Sequence, residues 1–217
     1  MNLQRRRCLR MGAALALAGS LPLRPFAQTL AEDLPTHDTL DMDWEDTGRQ
    51  RAVPVRLYMP QTRQPVPLVV FSHGIGGSRR GYTWLGQNFA RHGIACLHVQ
   101  HVGSDRQLWG GNIFNLVGRL QNAAQEAEAI ARTQDLRFAL DTLLTSELAP
   151  LIDADRIMAA GHSYGANTTL LVSGASVERE GRVMELRDHR VRAAIALSAP
   201  PFYGEAVPRR ILQTVTV

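Results

Sequence analysis

Residues 157–168 read Ile157-Met-Ala-Ala-Gly161-His-Ser163-Tyr-Gly165-Ala-Asn-Thr168 and place a serine at the centre of a Gly-x-Ser-x-Gly motif. The apolar residues before the motif are typical of a short buried strand, and those after it of the start of a helix. On such a strand-to-helix turn a serine is exposed, so a base can take its proton and backbone N–H groups can bind the oxyanion. The motif therefore predicts Ser163 as a nucleophile; the alternative is a structural turn that contains a serine by chance.

A second glycine-rich turn follows another predicted strand. Residues 68–72, Leu-Val-Val-Phe-Ser, form the continuous apolar run of a buried parallel strand and lead into His73-Gly-Ile-Gly-Gly77. Because open α/β sheets place their sites at the carboxyl ends of strands, this loop and the serine turn are expected to meet. They predict the Ile75 N–H and the Tyr164 N–H as two oxyanion donors. A phosphate-binding loop is disfavoured, since no Gly-Lys-Ser/Thr follows and the spacing does not fit Gly-x-Gly-x-x-Gly.

The rest of the chain alternates between strand-like and helix-like segments. Further strands are predicted at 36–44, 53–58, 94–99 and 192–198, and helices at 82–92, 120–148 and 166–174. Residues 101–118 are predicted as an irregular excursion and 176–190 as a charged surface segment. In the longest helix, Leu136, Leu140, Leu143 and Leu144 form an apolar stripe that is expected in the core. The alternation predicts an α/β sandwich around a mostly parallel sheet.

Residues 1–31 differ from the rest of the chain. Four arginines precede the apolar run Met11–Leu23, and no acidic residue occurs before Glu32. The order Gln4-Arg-Arg-Arg-Cys-Leu-Arg10 resembles a twin-arginine export signal, which predicts a periplasmic or secreted protein. A membrane span is disfavoured because the apolar run is short and contains glycine and proline. Residues 32–217 are then expected to form one domain.

Charge and cysteine content exclude several classes of partner. Five of the 24 basic residues precede residue 32, so nineteen face twenty acidic residues in the remainder, and the overall positive charge does not indicate nucleic acid binding. Cys96 is the one cysteine outside the signal segment, which leaves neither an internal disulfide nor a cysteine metal site. His98 and His101 lack a third ligand at a suitable spacing, so a structural role is favoured over metal binding. We expect no metal and no cofactor.

None of the other histidines is a good candidate for the base that activates Ser163. His162 adjoins the serine on the turn and is interpreted as a packing or hydrogen-bonding residue. His73 is expected to shape the glycine-rich loop rather than to transfer protons. Asp188 and His189 are adjacent in sequence, and such neighbours seldom orient one another as an acid–base pair.

Four stretches together resemble a known fold family. They are Val69-Val-Phe-Ser-His-Gly-Ile-Gly-Gly77, Tyr82-x-Trp-Leu85, Ala90-x-x-Gly-Ile94 and Gly161-His-Ser-Tyr-Gly165. The sequence from Trp44 to Pro201 resembles the α/β-hydrolases, specifically esterases like dienelactone hydrolase and platelet-activating factor acetylhydrolase. The resemblance implies a three-layer sandwich, Ser163 as nucleophile, Tyr164 and Ile75 as oxyanion donors, and a helix over Arg132–Asp141 packed beneath the serine turn.

In this family the triad order is Ser, then Asp or Glu, then His, on loops after the strands that follow the nucleophile. Residues 193–198 match the first following strand, and only the strand-like stretch 210–217 comes after it. The resemblance therefore implies that the sheet is incomplete at the carboxyl terminus, that the acid and the histidine lie beyond Val217, and that this chain alone is inactive.

The function that we expect is hydrolysis of a small-molecule carboxylic ester through an acyl-enzyme. The alternative is a non-catalytic α/β-hydrolase-like binding protein or remnant, and thioesterase or acyltransferase chemistry on the same fold stays open. The excursion Val102–Gly118 is expected to help set the substrate. Neither the substrate nor the oligomeric state follows from these residues.

Overall fold

A computed structural model of the protein describes residues 36–179 and 182–201. The predicted export signal at 1–31 and the strand-like stretch 210–217 lie outside the described residues. Among the helices of the described part, none is both long and apolar enough to cross a membrane.

The described residues contain eight strands and four α-helices. The strands are β1 (His37–Asp46), β2 (Arg51–Pro60), β3 (Val66–Ser72), β4 (Ala95–Val99), β5 (Ile152–His162), β6 (Val177–Arg179), β7 (Arg182–Met184) and β8 (Val191–Leu197). The helices are α1 (Thr83–Arg91), α2 (Leu116–Ala123), α3 (Glu126–Leu144) and α4 (Tyr164–Val172). Short 3₁₀ turns occur at Arg106–Trp109, Ile113–Asn115 and Ala149–Leu151.

Six of the strands form one mixed sheet in the order β1-β2-β4-β3-β5-β8. Strands β4, β3, β5 and β8 run parallel, whereas β1 and β2 form an antiparallel hairpin at one edge. This arrangement confirms the predicted α/β fold with a mostly parallel sheet. The parallel strands place their carboxyl ends at one edge, and β3 and β5, which precede the two glycine-rich turns, are direct neighbours.

Helices cover both faces of the sheet, which explains why β3 is apolar at consecutive positions. Leu68 and Val70 pack on one face in the cluster that includes the α3 stripe. Val69 and Phe71 pack on the opposite face with Ala90 of α1. The predicted stripe is confirmed, since Leu136, Leu140 and Leu143 are fully buried and Leu144 packs against the same core. The result is the expected three-layer sandwich.

Two segments differ from the sequence prediction. The helix predicted over 120–148 is two helices, because Gln125 adopts an extended conformation (φ −73°, ψ 158°) between α2 and α3. The segment 176–190, predicted as a charged surface region, contains the antiparallel hairpin β6–β7. It also contains the buried Asp188, whose N–H donates to the Val172 carbonyl at 2.8 Å and whose carboxylate pairs with Arg190.

Candidate active site

The Gly-x-Ser-x-Gly motif forms a sharp turn between β5 and α4. Ser163 has φ 54° and ψ −123°, a combination that is unfavourable for any residue with a Cβ atom. Hydrogen bonds hold the turn on both sides: the Ser163 N–H donates to the Leu197 carbonyl at 2.9 Å, and its carbonyl accepts from the Ala166 N–H at 2.8 Å. Strained backbone of this kind is concentrated at functional sites.

The glycine-rich loop after β3 lies beside this turn. Ser72, the last residue of β3, pairs with Gly161 of β5, so the loop begins next to the motif. A Cβ atom added at Gly74 would lie only 3.2 Å from the Cβ atom of Ser163. The structure thus brings the loop and the serine together, as the shared sheet edge predicts.

Ile75, Ser163 and Tyr164, the three residues predicted as site residues, line a single pocket. In the turns, loops and helix caps of the described residues, neither the Ile75 N–H nor the Tyr164 N–H donates to a backbone carbonyl. Tyr164 is the first residue of α4, and the N–H groups of a first helical turn have no acceptor within the helix. Two backbone donors therefore remain for a negatively charged oxygen in the pocket.

The excursion after β4 holds the glycine-rich loop from outside. The Gly76 N–H donates to the Ser104 carbonyl at 2.8 Å, and the Trp109 indole N–H donates to the Gly76 carbonyl at 2.9 Å. Trp109 is 58% exposed, so its side chain lies on the outer surface of the loop. The excursion thereby contributes to the position of Ile75.

The pocket has a volume of about 240 Å³ and mostly apolar walls. Its aliphatic and proline side chains are Ile75, Ala124, Ala129, Ile130, Leu171, Leu186, Pro200 and Pro201, with Met184 beside them. Asn167, one helical turn after Ser163, also lines it and is only 5% exposed. The sequence analysis missed Asn167, although its i+4 spacing from Ser163 places it on the same side of α4.

Arg132 of α3 connects the separate parts of the site and was also missed as an individual site residue. Its guanidinium donates to the His73 carbonyl, to Ser104 Oγ at 2.8 Å and to Thr168 Oγ1 at 3.0 Å. It also stacks over the Tyr164 ring at 4.8 Å. One sequence feature could have identified Arg132. It precedes Leu136 by four residues, so it lies on the same helix face as the buried leucine stripe.

Arg132 is fully buried, and burial lowers the pKa of its guanidinium to about 10. The side chain is still charged at neutral pH, where Glu128 and Asp135 supply nearby negative charge. Its three hydrogen-bond acceptors belong to the glycine-rich loop, the excursion and α4. The helix implied by the family resemblance thus does lie against the serine turn, and this arginine makes the contact.

Replacing Arg132 with methionine is expected to lower the free energy of unfolding by about 3–5 kcal/mol. The change leaves three buried oxygen atoms, of His73, Ser104 and Thr168, without the guanidinium donor. Urea denaturation followed by circular dichroism measures the effect. Arg156→Met is the matched control: Arg156 pairs with Asp153 at the surface, so its loss should leave the unfolding transition almost unchanged. A transition of Arg132→Met that coincides with the control would contradict the bridging role.

A Ser–His–Asp arrangement does occur beneath the site, but it involves a different serine. His101 lies between Ser72 Oγ and Asp135 Oδ2, at 3.1 Å from each. All three side chains are fully buried, so no substrate can reach this serine. Burial and the nearby Arg132 together lower the pKa of His101 to about 4, which leaves the imidazole neutral at pH 7. The group is a buried hydrogen-bond network that supports the sheet edge.

His73 is nearly inaccessible, and its ring is hydrogen-bonded both to its own loop and to His101. Its Nε2 accepts from the His101 N–H at 3.1 Å, and its Nδ1 lies 2.6 Å from the Gly74 carbonyl, to which it donates. Burial and the neighbouring Arg132 hold the pKa of His73 well below its usual range. The ring therefore shapes the start of the loop in the neutral form.

The remaining histidines do not activate Ser163 either. His98 is buried against Tyr58 and Phe71, and His162 packs on the Tyr82 ring at 5.4 Å. Within the described residues, which include all seven histidines of the sequence, none hydrogen-bonds to the Ser163 hydroxyl. The same part of the chain holds no group of three or more His, Cys, Asp or Glu side chains arranged to bind a metal.

Comparisons with known proteins agree with this geometry. The family model for platelet-activating factor acetylhydrolase, isoform II, matches residues 44–107. The platelet-activating factor acetylhydrolase of Cavia porcellus is 25% identical over 89% of this chain and 49% of its own length, and that of Bos taurus is 27% identical over 70% and 39%. The chain thus spans about half the length, or less, of these relatives.

Solved structures show the same fold. A ferulic acid esterase from Streptomyces cinnamoneus superposes with a TM-score of 0.55 at 25% identity, over 83% of this chain and 68% of that one. A Klebsiella pneumoniae protein described as a dienelactone hydrolase superposes with a TM-score of 0.56 at 16% identity, over 80% and 64%. With its serine turn and glycine-rich loop at the same sheet edge, the chain has the α/β-hydrolase fold and is similar to esterases and platelet-activating factor acetylhydrolases of that fold.

Proposed function

We propose that Ser163 is the nucleophile of a carboxylic ester hydrolase. A general base takes the hydroxyl proton as Oγ bonds to the acyl carbon, and the same group then gives this proton to the departing alcohol. Water, deprotonated by that base, attacks the acyl-enzyme, releases the acid and lets the serine oxygen take the proton back. The Ile75 and Tyr164 N–H groups bind the oxyanion of each tetrahedral intermediate. One observation carries the proposal: both unused N–H groups and the strained serine line the same pocket.

The general base is proposed to be a residue other than the seven histidines of this sequence. His73, His98 and His101 are buried, and the side chain of His162 packs on Tyr82. The 217-residue chain alone is therefore proposed to be inactive, because loss of triad members typically lowers the rate by about 10⁴- to 10⁶-fold.

A non-catalytic binding protein is the second candidate function. It is favoured by the lack of a histidine bonded to Ser163 in the described residues. Such a protein would keep the serine turn and the pocket and bind an ester without cleaving it.

A fluorophosphonate probe separates the two candidates, because it reacts only with an activated serine. In protein expressed from the complete reading frame, we expect one adduct, on the tryptic peptide Ile157–Arg179 that carries Ser163. The 217-residue chain alone should remain unlabelled. Absence of an adduct in the complete protein, or an adduct on another peptide, would overturn the esterase proposal.

Export is a separate proposal that rests on the sequence of residues 1–31. The arginines before the apolar run support targeting to the periplasm or the exterior by a twin-arginine route.

A further inference from the structure

The pocket beside Ser163 contains one buried polar side chain with no partner. The carboxamide of Asn167 is 5% exposed, and its Oδ1 is fully buried without a hydrogen bond. The carboxamide makes no hydrogen bond to another described residue. Buried amide groups are almost always hydrogen-bonded, so an unpaired one in a pocket indicates a ligand group that completes it.

The described residues that line the pocket with Asn167 offer no hydrogen-bond partner for its carboxamide. Its neighbours along the pocket wall include Ala129, Ile130 and Leu171, which carry no polar side-chain atoms. A trapped water needs about two to four polar partners, and an aliphatic wall supplies few. The Tyr164 hydroxyl does not compensate, because it donates to the Gln125 carbonyl at 3.4 Å.

The distance from Asn167 to the reaction centre is fixed by α4. Four residues along a helix correspond to a rise of about 6 Å. A ligand group that reaches Asn167 therefore lies about one helical turn from the acyl carbon that Ser163 attacks. Rotation about the Cβ–Cγ bond presents either the oxygen or the NH₂ of the carboxamide, so a hydroxyl group, which both donates and accepts, fits either orientation.

We infer that this pocket selects esters with an apolar substituent that carries a single hydroxyl, or a comparable hydrogen-bonding group, about one helical turn from the ester carbonyl, and that Asn167 recognises that group. The inference rests on the proposed esterase function and adds the substrate class. Either the acyl part or the alcohol part of the ester can supply this substituent, because both adjoin Ser163 during the reaction.

The test compares matched ester pairs on the protein from the complete reading frame. One pair differs in the acyl part, ethyl (4-hydroxyphenyl)acetate against ethyl phenylacetate. The other pair differs in the alcohol part, 4-hydroxyphenyl acetate against phenyl acetate. We expect kcat/KM to favour the hydroxylated member by about 10- to 100-fold in one of the pairs, and the pair that responds identifies which part occupies the pocket.

Asn167→Leu replaces the carboxamide with an apolar side chain of similar size. It should abolish the preference, so that the ratio of kcat/KM values within the responsive pair falls to about one. Asn88→Leu, on the exposed part of α1, is the control and should keep the preference.

Two failures remain distinguishable. Equal kcat/KM within both pairs, in protein that hydrolyses 4-nitrophenyl acetate and reacts with the fluorophosphonate, would overturn the assignment of Asn167 alone. Absence of both of those activities would overturn the proposed function, and with it this inference.

Discussion

Replacing Ser163 with glycine is expected to abolish ester hydrolysis and to increase the stability of the protein. The hydroxyl is the proposed nucleophile, so its loss should lower the rate by about 10⁴- to 10⁶-fold. Ser163 also has a backbone conformation (φ 54°, ψ −123°) that glycine adopts with little strain. Residues held in such conformations cost about 1–3 kcal/mol, and part of this should return as stability.

Ser163→Ala is the matched control, because it removes the hydroxyl but keeps the Cβ atom and the backbone strain. It should be as inactive as Ser163→Gly but no more stable than the unmodified protein. Initial rates on 4-nitrophenyl acetate and urea denaturation of the protein from the complete reading frame measure both properties. Retention of more than about 1% of the activity by Ser163→Ala would exclude Ser163 as nucleophile, given the magnitude expected for such a loss. A glycine variant less stable than the alanine variant would show that the turn stores no strain.

Replacing Gly165 with alanine is expected to disrupt the fold at the active site. A Cβ atom at this position would lie 2.0 Å from the Ser72 carbonyl oxygen and 2.7 Å from the His73 carbonyl oxygen. Both are backbone atoms, so no side-chain rotation relieves the overlap, and α4 must move away from β3. We expect a loss of more than about 4 kcal/mol in the free energy of unfolding, the range reached only by severe disruptions of this kind.

Gly118→Ala is the matched control, and it is expected to stabilise the protein rather than to destabilise it. Gly118 lies within α2, and nothing lies within 4 Å of the position of an added Cβ atom. Because alanine favours helix over glycine, this variant should be more stable by about 0.5–1 kcal/mol. Thermal unfolding and soluble yield of both variants test the argument. A Gly165→Ala protein with the unfolding temperature of the parent would mean that α4 does not approach β3 as closely as described.

Much of the fold was predictable because it depends on local pattern. The continuous apolar run of β3 and the Leu136, Leu140 and Leu143 stripe of α3 each identify an element, and the structure confirms both. The position of the break was not predicted, since the residues on both sides favour helix and no local pattern marks Gln125 as extended. Burial of Asp188 was also missed, because its pairing with Arg190 and the Val172 carbonyl depends on how the hairpin returns to α4.

Some residues of the candidate site were predictable from local sequence, and others were not. Ser163, Ile75 and Tyr164 came from two glycine-rich turns whose local sequence specifies their backbone, and the parallel pairing of β3 with β5 brings them together. Arg132 and Asn167 carry no motif, because arginine and asparagine on helices usually face solvent. Only packing reveals that both are buried beside the serine.

By itself, the sequence determined the α/β class, the tight serine turn and the glycine-rich loop, because these follow from hydrophobic periodicity and from the backbone freedom of glycine. The tertiary structure decided which polar groups are buried: Arg132 joins three segments, His101 pairs with Ser72 rather than Ser163, and Asn167 stays unpaired in the pocket. The physical reason is that the cost of burying a polar group depends on contacts between residues far apart in the chain, which no local pattern records.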